Sequence, residues 1–328
     1  MGQGDSEVMK AIGGYFEIEN EGIGIFPHKA GILLNTGRNA LEYILLSIPD
    51  IRRIYLPYYT CGVVLEPIKR LGVPFDYYHI NGNLEIDRHV VLKKGEYIIV
   101  NNYYGIKDAY IGTLVEKYGD RLIVDCAQAF FAPVISGIKM FYSIRKFVGV
   151  PDGGVAYCDK GTSLFHFKQD NSIDRLDHLY IRKEQGAEVG FKLYQANEKK
   201  LDNQNVCLMS TFTSDILERI DYNSIVTRRR ENYLYLHKVL KRINHLSLPK
   251  MDTFCCPMVY PFMGSIDKNI RQELIDSKIF VACYWPNVQP YRDFCCEVDM
   301  ADRIIPLPID QRYGVDDMDR IIETIAGQ

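Results

Sequence analysis

The strongest constraint on the fold is an alternation between Gly31 and Cys158, where short apolar runs are separated by stretches with helical spacing. The runs are "RRIYLP" near residue 54, "VPFDYYHI" near 76, "YIIVNNYYG" near 100, "RLIVDCAQ" near 124, "MFYSI" near 142 and "GGVAYC" near 155. Between the first two, "TCGVVLEPIKRLG" places Val64, Leu65, Ile68 and Leu71 on one helical face. Strand, helix and strand repeated in this way predict an α/β chain with a mostly parallel sheet and helices on both faces. Ligands in such sheets sit outside the carboxyl ends of the strands, which is where Asn102 and Asp125 fall.

After Lys160 the chain becomes polar and rich in helical spacing. Ser214 to Ile243 repeats Ile and Leu at helical intervals, as one long helix or as two joined near Asp221 to Asn223. Downstream, "CCPMVYPFMG", "FVACYWP" and "RIIPLPID" are short β-type runs broken by proline, and "GVDDMDRIIETIAGQ" reads as a terminal helix. The expected division is a large ligand-binding domain over 1–220, whose N-terminal segment reaches the site, then a linking helix and a small α+β domain over 221–328.

Composition removes several classes of function. A net charge of -3 gives no electrostatic case for nucleic acid or an anionic membrane, and no apolar run approaches the ~18 residues of a membrane span. Nine cysteines include the adjacent pairs Cys255-Cys256 and Cys295-Cys296 but no CxxC spacing, which argues against a disulfide framework or a zinc site. No HExxH occurs, and no metal is expected. "MGQGDSEVMK" has no signal-peptide pattern, so a reducing cytoplasm is the expected location.

Three pieces carry chemistry. "LLNTGRNALEYILLSI" allows Thr36 or Gly37 to cap a helix beginning near Arg38, leaving first-turn N–H groups and the positive helix end for an anion. An ordinary capped helix is the plainer alternative, but Arg38 in the first turn opposes the dipole unless an anion lies between them. "RLIVDCAQAFF" puts Asp125 directly after a strand, as a metal ligand, a base, the partner of a ring nitrogen, or simply a helix cap. In "FYSIRKFVGVPDGGVAY", Lys146 stands between two strands and before Gly153-Gly154; an exposed surface lysine is the alternative to an amine made nucleophilic by desolvation. The run "EGIGIF" lacks the third glycine of a dinucleotide-binding turn.

A phosphate cradle, a strand-end aspartate and, 21 residues on, a lysine followed by a double glycine match the order of needs of pyridoxal 5'-phosphate. The chain here resembles the fold type I pyridoxal-phosphate enzymes, and within them the DegT/DnrJ/EryC1 family of sugar aminotransferases. The resemblance covers "LNTGRNALEYIL", "YLPYYTCGVVLEPIKRLGVPFDYY", "DCAQAF", "KFVGVPDGG" and "IIPLPIDQRYGVDDMDRII".

What the resemblance implies is specific. Lys146 carries the cofactor as a Schiff base, Asp125 pairs with its pyridinium nitrogen and Gln128 lies beside the ring. The backbone at Gly37, Arg38 and Asn39 holds the phosphate, and Ser143 adds a hydroxyl. The family usually has that serine five residues before the lysine, where this chain has Phe141. Cys61 follows Thr60 where many members place an aromatic over the ring, which leaves Tyr58, Tyr59, Tyr103 and Tyr104 as candidates for stacking. Tyr15, Asn102 and Tyr104 are expected to face substrate, although tyrosines at strand ends also serve simply as packing. Asn197 is the candidate for an asparagine sent into a neighbouring subunit, since the resemblance implies a homodimer.

The implied activity is transfer of an amino group from an amino acid such as glutamate to a keto sugar, nucleotide-linked, in surface-polysaccharide or amino-sugar biosynthesis. The alternatives are another pyridoxal-phosphate reaction on the same scaffold, or a non-catalytic binding or regulatory protein. Members that remove a hydroxyl without transamination carry histidine in place of the lysine, and Lys146 argues against that variant.

Overall fold

The strand Leu122–Cys126 is buried along its whole length, and a strand covered on both faces has to be apolar nearly throughout, as "LIV" is. It lies near the middle of a nine-stranded sheet. The computed structural model describes residues 10–158, 166–251, 255–265, 269–288 and 295–326. In spatial order the strands are Phe75–Tyr78, Arg53–Pro57, Glu96–Asn101, Leu122–Cys126, Lys139–Ser143, Gly154–Tyr157, Ile32–Leu34, Cys207–Leu208 and Lys168–Gln169. The first five run parallel. Gly154–Tyr157 then runs antiparallel to both of its neighbours.

All six expected runs are strands of this sheet. Ile32–Leu34, Cys207–Leu208 and Lys168–Gln169 extend it and carry no comparable signal, because two or three residues are too few for a period of two to show. Alternation divides the side chains between two cores. Ile99 and Ile123 join Leu41, Ile44 and Leu45 of the helix Gly37–Ser47 on one face. Ile98, Val100 and Val124 join Ile111 and Leu114 of the helix Asp108–Tyr118 on the other.

The polar region resolves into helices Asp177–Gln185, Ala187–Leu201, Thr211–Leu217 and Tyr222–Leu240. Ser214 to Ile243 therefore holds two helices. The break has a capping cause, because the Asp221 side chain accepts the Ser224 amide and starts the second helix. Beyond it, Val259–Met263 pairs antiparallel with Ile304–Pro308, packed by Tyr222–Leu240, which in turn packs against the helix Val315–Ala326. The N-terminal segment joins this part: Ile12–Gly13 pairs parallel with Ile279–Phe280.

The turn carrying Lys146 links Lys139–Ser143 to Gly154–Tyr157. It is closed by the Ile144 amide donating to Gly153 O at 3.1 Å, and the Gly153 amide donates to Asn35 O at 2.5 Å. Arg229, fully buried, donates to Phe147 O at 3.2 Å and Met258 O at 3.0 Å, while Gln311 donates to the same Phe147 oxygen at 2.9 Å. Gly154 then passes against the start of Gly37–Ser47, where a Cβ would stand 2.2 Å from Thr36 O and 2.7 Å from Gly37 N. Only glycine permits that approach. Gly154→Ala is expected to cost about 1–3 kcal/mol, since both clashing atoms are backbone. Chemical denaturation should show a lowered midpoint with an unchanged slope, and an unchanged midpoint would mean that the helix start yields freely.

Candidate functional site

A cavity of about 230 Å³ opens at the carboxyl ends of the central strands, and Asp125, Gln128, Ser143, Lys146 and the start of the helix Gly37–Ser47 all line it. Thr36 caps that helix, its hydroxyl accepting the Asn39 amide at 3.1 Å. Gly37 and Arg38 follow in the first turn, whose amides have no helical acceptor, and both line the cavity. Ser143 stands beside them: a Cβ on Gly37 would lie 3.5 Å from Ser143 Cβ.

Asp125 is buried, and its Oδ1 accepts the Ala127 amide at 2.8 Å. Burial pushes its carboxyl up to about 6, against the opposing pull of the Lys146 ammonium and that amide. Lys146 is half-buried on the short turn Ile144–Lys146. Among the described residues no hydrogen bond or ion pair holds its amine. Gln128 accepts the Tyr104 amide on Oε1 at 3.0 Å, while its Nε2 is buried without a partner.

The remaining candidates are placed variously. Cys61 and Asn102 line the cavity, but the Asn102 side chain is engaged, donating to Asp108 Oδ1 at 2.5 Å and accepting the Lys107 amide at 3.1 Å. The Asn39 side chain holds the neighbouring edge of the sheet, accepting the Cys207 amide at 3.2 Å. Arg38 bonds Asp202 at 2.6 Å and Glu66 at 3.2 Å, so these carboxylates already balance the charge that opposes the helix dipole. Tyr104 is fully buried behind the wall, with its hydroxyl 3.2 Å from that of Tyr59. Asn197 is buried within its own chain and donates to Pro151 O at 3.2 Å.

Tyr15 lines a second chamber of about 720 Å³, which shares Ser143, Arg145, Lys146 and Glu198 with the first. Sequence reasoning passed over four residues here. Arg145 pairs with Glu198 and separates the two spaces; only its place next to Lys146 pointed to it. Glu198 and Asp202, on and just after the helix Ala187–Leu201, lie some fifty residues from the lysine and carry no local signal. Trp285, inside the run "FVACYWP", lines the first cavity from the C-terminal part of the chain.

No protein-family model and no curated protein sequence matches this chain. Solved structures do. The sugar aminotransferase CalS13 from Micromonospora echinospora is 16% identical, with 90% of this chain and 87% of that one covered at a TM-score of 0.59. A DegT DnrJ EryC1 StrS aminotransferase from Brucella abortus is also 16% identical, covering 90% and 85% at 0.58. Spr1654 from Streptococcus pneumoniae, in its PLP form, is 16% identical and covers 90% and 85% at 0.61. The chain has the fold of these proteins. The expected architecture, a large mostly parallel sheet flanked by helices, is the one they share.

The raised Asp125 pKa has a measurable sign. The folded protein, free of cofactor, keeps a proton that the unfolded chain gives up near 3.8, so stability falls as pH rises from about 4 to about 6. The full effect is up to about 3 kcal/mol. Asp125→Asn should therefore unfold at higher denaturant than the wild type at pH 8, and at a similar concentration at pH 4. Equal midpoints at both pH values would mean that the carboxylate is solvated.

Proposed function

We propose that the protein is a pyridoxal-phosphate-dependent aminotransferase that moves an amino group from an amino acid, glutamate in our reading, to a keto sugar, most simply a nucleotide-linked one. The observation that carries this reading is the Lys146 amine at the junction of two chambers, with no hydrogen-bond or ion-pair partner among the described residues and beside a buried carboxylate held at about 6. The fold shared with sugar aminotransferases supports the choice of a keto sugar as acceptor.

The residues fit the cofactor on three counts. Asp125 is a buried carboxylate whose charge a protonated pyridine nitrogen would balance. Gln128 Nε2 is a buried donor awaiting an acceptor. The first turn at Gly37 and Arg38, with Ser143 beside it, offers donors for a phosphate. Lys146 would hold the cofactor through its amine. When bound, pyridoxal phosphate supplies an electron sink that acidifies the α-proton of an amino acid.

The chain's own residues then have definite tasks. Asp125 would place its charge against the ring nitrogen and so keep the proton there. Lys146 would carry a proton from the Cα of the amino donor to the bound cofactor and, in the opposite half-reaction, from the cofactor to the carbon that receives the amine. The apolar walls of the larger chamber, including Tyr15, Tyr194 and Tyr284, would limit water at that proton. Arg145 and Glu198 stand where the two chambers meet, in position to orient a polar substrate.

We place the protein in the cytoplasm as a homodimer. Among the described residues, Cys61, Cys126, Cys207, Cys256, Cys283 and Cys296 form no disulfide, which suits a reducing compartment. The helix Ala187–Leu201 exposes Val189, Phe191 and Leu193, apolar surface that a two-fold contact would cover. The strand-end tyrosines give no such support, because Tyr58, Tyr59, Tyr103 and Tyr104 are buried within one chain.

Borohydride reduction followed by peptide mass spectrometry tests the assignment. Lys146 should carry the reduced cofactor, and Lys146→Ala should lose both the adduct and all transamination while unfolding as the wild type does. Asp125→Asn is expected to keep bound cofactor and lose at least a hundredfold in single-turnover transamination, as for other groups that stabilise charge in a transition state. A labelled lysine elsewhere would refute the site. A labelled Lys146 without turnover on any keto sugar would point to a binding protein.

A further inference from the structure

A planar, electron-poor ring held between Asp125 and Lys146 binds best against an aromatic wall, because stacking adds to the gain from burial. Cys61 and the aliphatic residues Leu41, Val63 and Val64 on the cavity wall offer no such face. Two aromatic side chains do line the cavity, Phe141 and Trp285. Phe141 lies on the strand beside Asp125 and is packed into the core under the helix Gly37–Ser47. Trp285 arrives from the other part of the chain and is its single tryptophan.

Trp285 is firmly held. Its neighbours are bolted to the segment before Cys61, with the Tyr58 hydroxyl donating to Val288 O at 2.6 Å and Asn287 Nδ2 donating to Thr60 O at 3.1 Å. Behind the indole lies a bed of tyrosines. Tyr59 meets it edge-on, with centroids 4.4 Å apart and an interplanar angle of 88°. Tyr103 lies at 5.6 Å, and Tyr104 at 6.4 Å is nearly parallel to it at 24°. The bed is itself tied together, the Tyr103 hydroxyl donating to Tyr59 O at 2.7 Å. Trp285 also has φ +59°, a left-handed conformation that bulky residues seldom take and that persists only where its surroundings enforce it.

We propose that Trp285 supplies the aromatic contact to the cofactor ring, filling from the C-terminal segment the place that Cys61 leaves open beside Thr60. The inference rests on the cofactor proposed above. It gives the buried tyrosines a task, since they hold the indole in place rather than touch the ligand. It also makes cofactor binding depend on docking of the segment Tyr284 to Val288 against the sheet.

Because the chain has one tryptophan, 5-fluorotryptophan labelling of the otherwise unaltered protein gives a single fluorine resonance. That resonance should move when pyridoxal phosphate is added and stay in place with inorganic phosphate, while borohydride reduction places the label on Lys146. In parallel, Trp285→Ala should weaken cofactor binding roughly tenfold and Trp285→Phe no more than about threefold. If the alanine variant does not fold, the fluorine signal and the phenylalanine variant decide. Labelled Lys146 with a fluorine resonance that stays put overturns the role of Trp285 and leaves the cofactor assignment standing. Failure to label Lys146 at all overturns both.

Discussion

The site depends on one backbone contact, the passage of Gly154 against the start of the helix Gly37–Ser47. A missing Cβ lets the strand that follows the lysine turn lie directly against Thr36 and Gly37, and the Gly153 amide fastens the pair to Asn35. One contact thereby sets the distance between a helix start and a lysine that belong to separate parts of the sequence. Arg229 and Gln311 hold the same turn from the opposite side through Phe147 O. The lysine sits on a short loop, but each end of that loop is anchored to a rigid element, as a preorganised site requires.

Electrostatics at the cavity are balanced in number and uneven in depth. Arg38, Arg145 and Lys146 face Asp125, Glu198 and Asp202, yet the two arginines are already paired with carboxylates. What remains is Lys146 and Asp125, one without a partner and the other desolvated. A buried carboxylate whose pKa is raised carries a free-energy cost, and a cation placed against it removes that cost. The arrangement thus favours a ligand that brings positive charge to Asp125 and accepts a nucleophile at Lys146.

Much of this was legible in the sequence, for physical reasons that differ by element. The central strands announced themselves because burial on both faces demands unbroken apolar runs, as in Leu122 to Val124. The short flanking strands did not, since Cys207 and Leu208 owe their place to pairing with Leu34 rather than to any pattern of their own. The gathering of Asp125, Lys146 and the Thr36 cap into one cavity could be inferred because parallel strands bring their carboxyl ends together. Glu198 and Trp285 reach the same cavity only through the packing of distant segments, which periodicity does not encode. The tyrosines were ambiguous, since a ring at a strand end can face a ligand or brace a wall, and Tyr104 braces. Arg38 was ambiguous as well: a cation in a first turn calls for an anion, and in this chain Glu66 and Asp202 answer the call.

The pairing of Ile12–Gly13 with Ile279–Phe280 has a consequence for how the chain is made. The Gly13 amide also donates to the Tyr313 hydroxyl at 2.7 Å, across 300 residues. The strand Ile12–Gly13 therefore waits for this partner while the sheet between residues 32 and 208 emerges from the ribosome, at ordinary synthesis rates for on the order of tens of seconds. The sheet takes shape during that interval, while the small cavity still lacks its Trp285 wall. The larger chamber, which needs Gly13, Tyr15 and Phe280 together, is walled only when Phe280 has arrived, so a ribosome-bound fragment ending before residue 280 would carry Lys146 on a finished sheet with one side of that chamber open to water.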